Sequence, residues 1–252
     1  ALHWAVYWDD VPETRRLLAA GASLDATNDL GVTPLWLACN NGSGSMVDVL
    51  LTAGADPDSA LPSGETVLMT ASRTGSVSAV RALLRQGADV DRTEESHGQT
   101  ALMWAVAQGH APIVQALIEH GADVHARSHS YPQVINSAGN ADPSGVYEIA
   151  QGGYTPLLFS ARHGALASAR MLVAAGADVN DVAPMGTSAL VVAAHSGQGR
   201  LAAFLLEHGA DPLAADAGYT ALHAAVLRGD LKLVTTLMEY GADPDPPLRR
   251  GT

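Results

Sequence analysis

The sequence predicts an all-α fold, an α-solenoid of about seven repeated units in which a β-turn finger precedes a helix-turn-helix. Three observations predict it. Gly-Ala-Asp or a close copy recurs at Gly21, Gly54, Gly87, Gly121, Gly176, Gly209 and Gly241, spaced by 33, 33, 34, 55, 33 and 32 residues. A hydroxyl residue followed by a small or ring residue and Leu recurs at Thr33, Thr66, Thr100, Thr155, Ser188 and Thr220. A lone glycine follows each of these, at Gly42, Gly75, Gly109, Gly164, Gly197 and Gly229.

Each phrase has a physical role. A Thr or Ser at an N-cap, with Pro or Ala in the first helical position, starts a helix because its oxygen accepts an otherwise orphaned backbone N–H. The lone glycine ends that helix after about two turns. A second apolar-periodic run, such as Ile113-Val114-Gln115-Ala116-Leu117-Ile118, then leads to the Gly of Gly-Ala-Asp. There the chain needs a left-handed residue, which glycine adopts without strain. The Asp starts a turn, its carboxylate accepting from nearby backbone N–H groups.

Composition sets the limits. Hydrophobic residues make up 47% of the 252, enough for a core, but aromatics are only 5% and Ala supplies much of the rest. That suits short, closely packed helices. No apolar run reaches the roughly 18–20 residues that cross a bilayer. The formal net charge of −12, without a basic stripe, argues against nucleic acid and anionic membrane surfaces as partners. Cys39 is the only cysteine, so an internal disulfide and a cysteine-rich zinc site are both excluded and the compartment stays open. One lysine among many Ala, Gly and Arg residues points to a GC-rich, bacterial-type gene.

These phrases resemble the ankyrin repeat, whose signature includes Thr-Pro-Leu-His and Gly-Ala-Asp-Val-Asn. Leu2-His3 and Leu222-His223 keep its Leu-His pair, Gly109-His110 its Gly-His step, and Gly176-Ala177-Asp178-Val179-Asn180 its ending. The wording of Thr100–Arg127 is similar to bacterial members. The resemblance implies a single ankyrin-repeat domain over 1–252, with units at about 1–27, 28–60, 61–94, 95–128, 150–182, 183–214 and 215–246. Residues 129–152 are then an inserted loop and 244–252 an exit segment whose prolines cannot continue a helix. The first unit opens in mid-motif, so the natural protein is expected to extend upstream of Ala1, and a processed leader is equally compatible. The interval from Gly121 to Gly176 exceeds the common 33 by 22 residues, and an insertion of that length in a finger is either functional or disordered.

The resemblance also implies where function lies. In ankyrin repeats the short first helix and the finger tips line a concave face that reads a protein or peptide partner. Interface hot spots favour Trp, Tyr and Arg. The expected partner-binding residues are therefore Trp104, Gln108, Tyr154, Phe159, Arg162, His163, His195 and His97, with Tyr131 and Tyr147 on the inserted loop. Trp104 and Phe159 stand on the boundary between groove floor and core.

No catalytic constellation emerges, and no cofactor is expected. His3 and His223 occupy the Leu-His site, which the resemblance makes structural. His120 and His208 precede helix-stop glycines, where an imidazole can bond the last carbonyls. His97, His125 and His129 lack a tight metal-ligand spacing, and Asp56-Pro57-Asp58 lacks the Gly and distant Glu of a calcium loop. Cys39 reads as a small buried hydrophobe.

The leading expectation is a non-catalytic protein-interaction scaffold, bound on its concave face and inserted loop. A second is end-to-end self-association, in which Trp4, Tyr7 and Trp8 stack head-to-tail on the last unit of another copy. A third makes this segment an accessory domain of a longer protein carrying an enzyme or other domain elsewhere.

Overall fold

The computed structural model describes residues 1–136 and 146–245, with side chains described through Val134 and again from Ala150. Among these residues are fourteen helices and one two-stranded sheet. By its internal contacts the chain divides into two compact units, Ala1–Asp123 and Val124 to the C terminus.

The first unit holds four helix pairs: α1 (Leu2–Tyr7) with α2 (Val11–Ala19), α3 (Pro34–Asn40) with α4 (Gly44–Thr52), α5 (Val67–Thr74) with α6 (Val77–Arg85), and α7 (Ala101–Ala107) with α8 (Ala111–Glu119). First helices pack on first helices along α1, α3, α5 and α7, and second on second along α2, α4, α6 and α8. The second unit holds α9 (Pro156–His163) with α10 (Leu166–Ala174), α11 (Ala189–His195) with α12 (Gly199–Glu207), and α13 (Ala221–Arg228) with α14 (Leu231–Glu239). Its helices stack in the same two rows. This is the solenoid arrangement that the period predicts.

The helix starts form as the caps dictate. Thr33, Thr66, Thr100, Thr155, Ser188 and Thr220 each accept the backbone N–H three residues on. All seven Gly-Ala-Asp-type glycines adopt positive φ, from +83° at Gly21 to +99° at Gly54. Between cap and stop the apolar residues are sealed in: Leu35, Leu68, Leu102 and Leu157 from the first helices and Leu50, Leu83 and Leu117 from the second are at most 1% exposed. Full burial of each stabilises by roughly 1.5–3 kcal/mol.

The fingers carry a device beyond punctuation. Within a finger the Asp carboxylate accepts the N–H two residues on, as Asp56 does from Asp58 (2.9 Å) and Asp178 from Asn180 (2.8 Å). The residue at that second position then reaches the next finger. Asp58 accepts the Asp89 N–H (2.8 Å), Asp91 that of Asp123 (2.9 Å) and Asn180 that of Asp211 (2.8 Å). Each rung fixes the register of one repeat on another.

The insertion is not a simple loop. Strand β1 (Ser130–Asn136) pairs antiparallel with β2 (Val146–Gly152), from Ser130 opposite Gly152 to Asn136 opposite Val146. Backbone pairing closes other fingers between Leu61 and Glu65, Glu94 and Gln99, and Ala183 and Thr187. Here the same closure runs between Ser128 and Tyr154, at 3.0 Å, with the hairpin emerging inside it. Tyr154 N–H also donates to Ser128 Oγ (3.0 Å), and Gly153 N–H to the His129 carbonyl (3.0 Å). Arg127 ties this stem to the following finger, donating to the Gly153 and Val182 carbonyls (2.9 and 3.0 Å) and to the Asp181 carboxylate.

Candidate functional site

The second unit contains a cleft of about 430 Å³ between the fingers and the C-terminal ends of the first helices. Gln151 and Tyr154 enter it from the hairpin stem, Arg162 from the end of α9, Val192 and His195 from α11, and Tyr219 from the last finger. Met185, nearly half exposed on the intervening finger, adds an apolar edge. Tyr154 and Tyr219 occupy the same repeat position, immediately before the N-caps Thr155 and Thr220.

The walls are held from beneath. Phe159 is 9% exposed and serves as floor, one of the two placements its boundary position left open. Its ring meets Tyr154 edge-on at 5.9 Å and stacks with His163 at 6.4 Å. Partial desolvation, reinforced by the neighbouring Arg162 charge, holds the His163 imidazolium below its ordinary pKa. Burial, and secondarily Tyr154, pushes the Tyr219 phenol above its usual range. The His195 ring lies 6.5 Å from that of Tyr219. Its carbonyl accepts from Arg228 Nη1 at 3.0 Å, so the wall is fastened to the final pair.

Of the residues expected to bind a partner, the cleft brings together Tyr154, Arg162 and His195, with Phe159 packed against Tyr154 and His163 stacked on Phe159. Tyr131 is exposed on β1 at the hairpin stem. The backbone of Tyr147 pairs with Ile135, and its side chain lies outside the described residues. Trp104, Gln108 and His97 belong to the first unit. Trp104 is half-buried under the Arg73 guanidinium, which lies 5.8 Å from its ring, and Gln108 is exposed at the end of α7. His97 projects to solvent, while its backbone N–H donates to the buried Glu94 carboxylate.

Tyr219 and Met185 escaped the sequence reading. Tyr219 had a usable signal, since it precedes its cap as Tyr154 does. Other residues in positions that face a partner in such repeats are engaged internally here. Asn41 donates to the Val6 and Tyr7 carbonyls, Thr74 to Cys39, and Glu65 accepts from Thr70 at 2.8 Å.

The histidines at repeat positions are structural, as expected. His3 bonds the Val32 carbonyl (2.9 Å), His223 completes a capping box with Thr220, and His120 and His208 bond the Ala116 and Phe204 carbonyls, both at 2.8 Å. Cys39 is fully buried, which pushes its thiol pKa up strongly. Among the described residues no three His, Cys, Asp or Glu side chains converge as metal ligands.

The helix pairs, finger rungs and punctuation find their counterpart in known proteins. The family described as "Ankyrin repeats (3 copies)" matches residues 44–128 and 182–247, "Ankyrin repeats (many copies)" matches 2–51, and "Ankyrin repeat" matches 152–183. The chain belongs to the ankyrin repeat family. Among solved structures it is similar to the ankyrin repeat domain of Bcl-3, a member of the IκB protein family, at 30% identity and a TM-score of 0.74, covering 94% of this chain and 97% of that one. The human ASB11 ankyrin repeat domain superposes with a TM-score of 0.76 at 22% identity, covering 97% and 99%, and shows the shared fold. No curated protein matches the chain. Ankyrin repeat domains in general mediate protein–protein interaction through the surfaces their stacking creates. Among the described residues of this ankyrin repeat protein, no helix is long and apolar enough to cross a membrane.

Proposed function

We propose that this ankyrin repeat chain is a non-catalytic interaction scaffold whose second unit grips an extended segment of a protein partner. The observation that carries the reading is the cleft. Two tyrosines at equivalent repeat positions, an arginine and a histidine converge on one open space, with apolar Met185 and Val192 beside them. Aromatic and arginine side chains are the commonest anchors of protein interfaces. The seven-unit division, with the hairpin as an insert in one finger, accounts for how these side chains meet. Tyr131 on the hairpin is a further contact residue in this proposal, and Trp104 and Gln108 are proposed as contact residues of the first unit by itself.

A photo-crosslinking residue at Thr187, on the cleft wall, tests it. In an extract of the source cells it should yield a discrete adduct, while the same residue at Asp48, on the second-helix row, should not. Equal labelling from both positions, or none from Thr187, sinks the cleft as the binding surface.

A second reading rests on a separate observation. Trp4, Tyr7 and Trp8 are 67%, 51% and 72% exposed and form an edge-to-face cluster with ring separations of 5.9 and 5.0 Å. On the last helix pair Leu227, Leu231 and Tyr240 are exposed as well. Apolar patches at the first and last pairs would support head-to-tail association of copies. Light scattering across a wide concentration range decides it. A mass that grows with concentration, and falls back in Trp8→Glu, supports association, and a constant monomer mass removes it.

A further inference from the structure

An internal comparison between repeats shows what the cleft lacks. In the α5 repeat, the residue before the cap is Glu65 and the seventh residue after the cap is Arg73. They form an ion pair at 3.6 Å, with the Glu65 carboxylate also accepting from Thr70 Oγ1 at 2.8 Å. The Arg73 guanidinium has further partners in Asn40 Oδ1 (3.3 Å) and the Trp104 ring.

The α9 repeat keeps the arginine and loses its company. Arg162 stands at the position of Arg73, but Tyr154 replaces Glu65 and Val192 replaces the ring that Trp104 supplies. Arg162 is exposed, and among the described residues no carboxylate lies within 4.0 Å of it. None of the residues lining the cleft carries a carboxylate either. In a chain of net charge −12, this is a local positive site with aromatic walls.

We propose that the segment seated in this cleft presents an Asp or Glu side chain to Arg162, between Tyr154 and Tyr219. The inference rests on the cleft reading and adds the chemistry of the occupant. A side-chain carboxylate, not a chain terminus, is the group that the α5 repeat places against the equivalent arginine. A guanidinium–carboxylate contact is charge-assisted and offers two parallel donors, so it supplies both affinity and orientation. With a segment seated, the tyrosine rings flank the contact and shield it in part from water, which strengthens it relative to one on an open surface. In the α5 repeat the same contact is made within the chain. In the α9 repeat it is left for a partner to complete.

A library of random 12-residue peptides displayed on phage without a free C terminus, selected on the whole chain, provides the test. The expected result is one position dominated by Asp or Glu, with binding reduced about ten-fold or more by Arg162→Gln. Selection on Arg162→Glu should exchange that position for Lys or Arg, a gain that misfolding cannot produce. Tyr154→Glu, which restores the Glu65–Arg73 arrangement within the chain, should suppress binding of the acidic peptides while far-UV circular dichroism stays that of the parent. Peptides that lose binding on Tyr219→Ala yet show no acidic position overturn the carboxylate inference and leave the cleft standing. Peptides indifferent to both Tyr219→Ala and Arg162→Gln, or no selected peptides at all, overturn the cleft reading and the inference with it.

Discussion

Asn180 Oδ1 accepts the backbone N–H of Asp211 at 2.8 Å, one repeat further along the chain. Asp58 and Asp91 make the same bond to Asp89 and Asp123. At the equivalent position of the next repeat stands Leu213, 52% exposed, its N–H already turned onto the Asp211 carboxylate at 2.8 Å. Leucine has no acceptor, and among the described residues no bond reaches the Asp243 N–H. Leu213→Asn should therefore add the missing rung and remove an exposed apolar side chain. The expected gain is about 1 kcal/mol, or roughly 2–4 °C in Tm at this chain length. Asn180→Ala should cost a similar amount. Hydrogen exchange at the Asp243 amide gives the decisive reading, because protection that does not rise in Leu213→Asn rules out the rung.

The hairpin stem depends on two consecutive glycines. Gly152 has φ +79°, and a Cβ there would sit 2.1 Å from the His129 carbonyl oxygen. Gly153 has φ +65°, and its Cβ would meet Pro184 Cγ at 2.5 Å. Backbone cannot yield as a flexible side chain does, so Gly152→Ala should destabilise the stem by roughly 1–3 kcal/mol. The helices should be untouched. Limited proteolysis is expected to cut within 130–152 in the variant while far-UV circular dichroism stays unchanged. A variant as protease-resistant as the parent contradicts this account of the stem.

The repeat architecture was legible because its signals are local and recur. A capping hydroxyl or a left-handed glycine acts on its own few residues, and one period fixes them all. The hairpin was not legible. Ser130-Tyr131-Pro132-Gln133-Val134-Ile135-Asn136 carries a proline and no clean alternation, and its partner strand begins only at Val146, ten positions after Asn136 in sequence. The finger rungs were hidden for another reason: an Asp two residues after a turn Asp looks like solubilising charge until the neighbouring repeat is in place. Phe159 was ambiguous because helix direction leaves a boundary position open, and only packing against Tyr154 and His163 placed it in the floor. For the cleft, sequence supplied Tyr154, Arg162 and His195, while Tyr219 needed the repeat register applied once more.

Glu94 adds its side chain to the backbone closure of its finger. Its side chain is nearly buried, and its carboxylate accepts backbone N–H groups from Ser96 (2.7 Å), His97 (3.0 Å) and Gln99 (3.0 Å). Glu94→Ala leaves these donors without their acceptor in a partly buried turn, which should cost about 1–3 kcal/mol. Urea denaturation would measure it. Glu94→Gln, which keeps an acceptor oxygen but loses the charge, should fall between the parent and Glu94→Ala. If Glu94→Ala proved neutral, water would be serving the finger as well as the carboxylate does.

His163 supplies a pH signature for the cleft. Desolvation comes first and the Arg162 charge second, and both disfavour the imidazolium, so its folded-state pKa lies below the ordinary value of about 6.5. The unfolded chain then binds the proton more readily, and stability from this residue follows that sign. It is fully present above the unfolded pKa and is lost as pH falls towards the folded pKa. Because the imidazole is substantially solvated, the loss is expected to be small. The sharper measurement is NMR titration of the His163 ring. Its midpoint should lie below the ordinary imidazole value of about 6.5, and Arg162→Gln should move it upward by removing one of the two causes. Bound acidic peptide should also move it upward, since a carboxylate on Arg162 screens the same charge. A midpoint that neither change moves would mean that Arg162 does not act on the imidazole, and that the two residues do not share one electrostatic site.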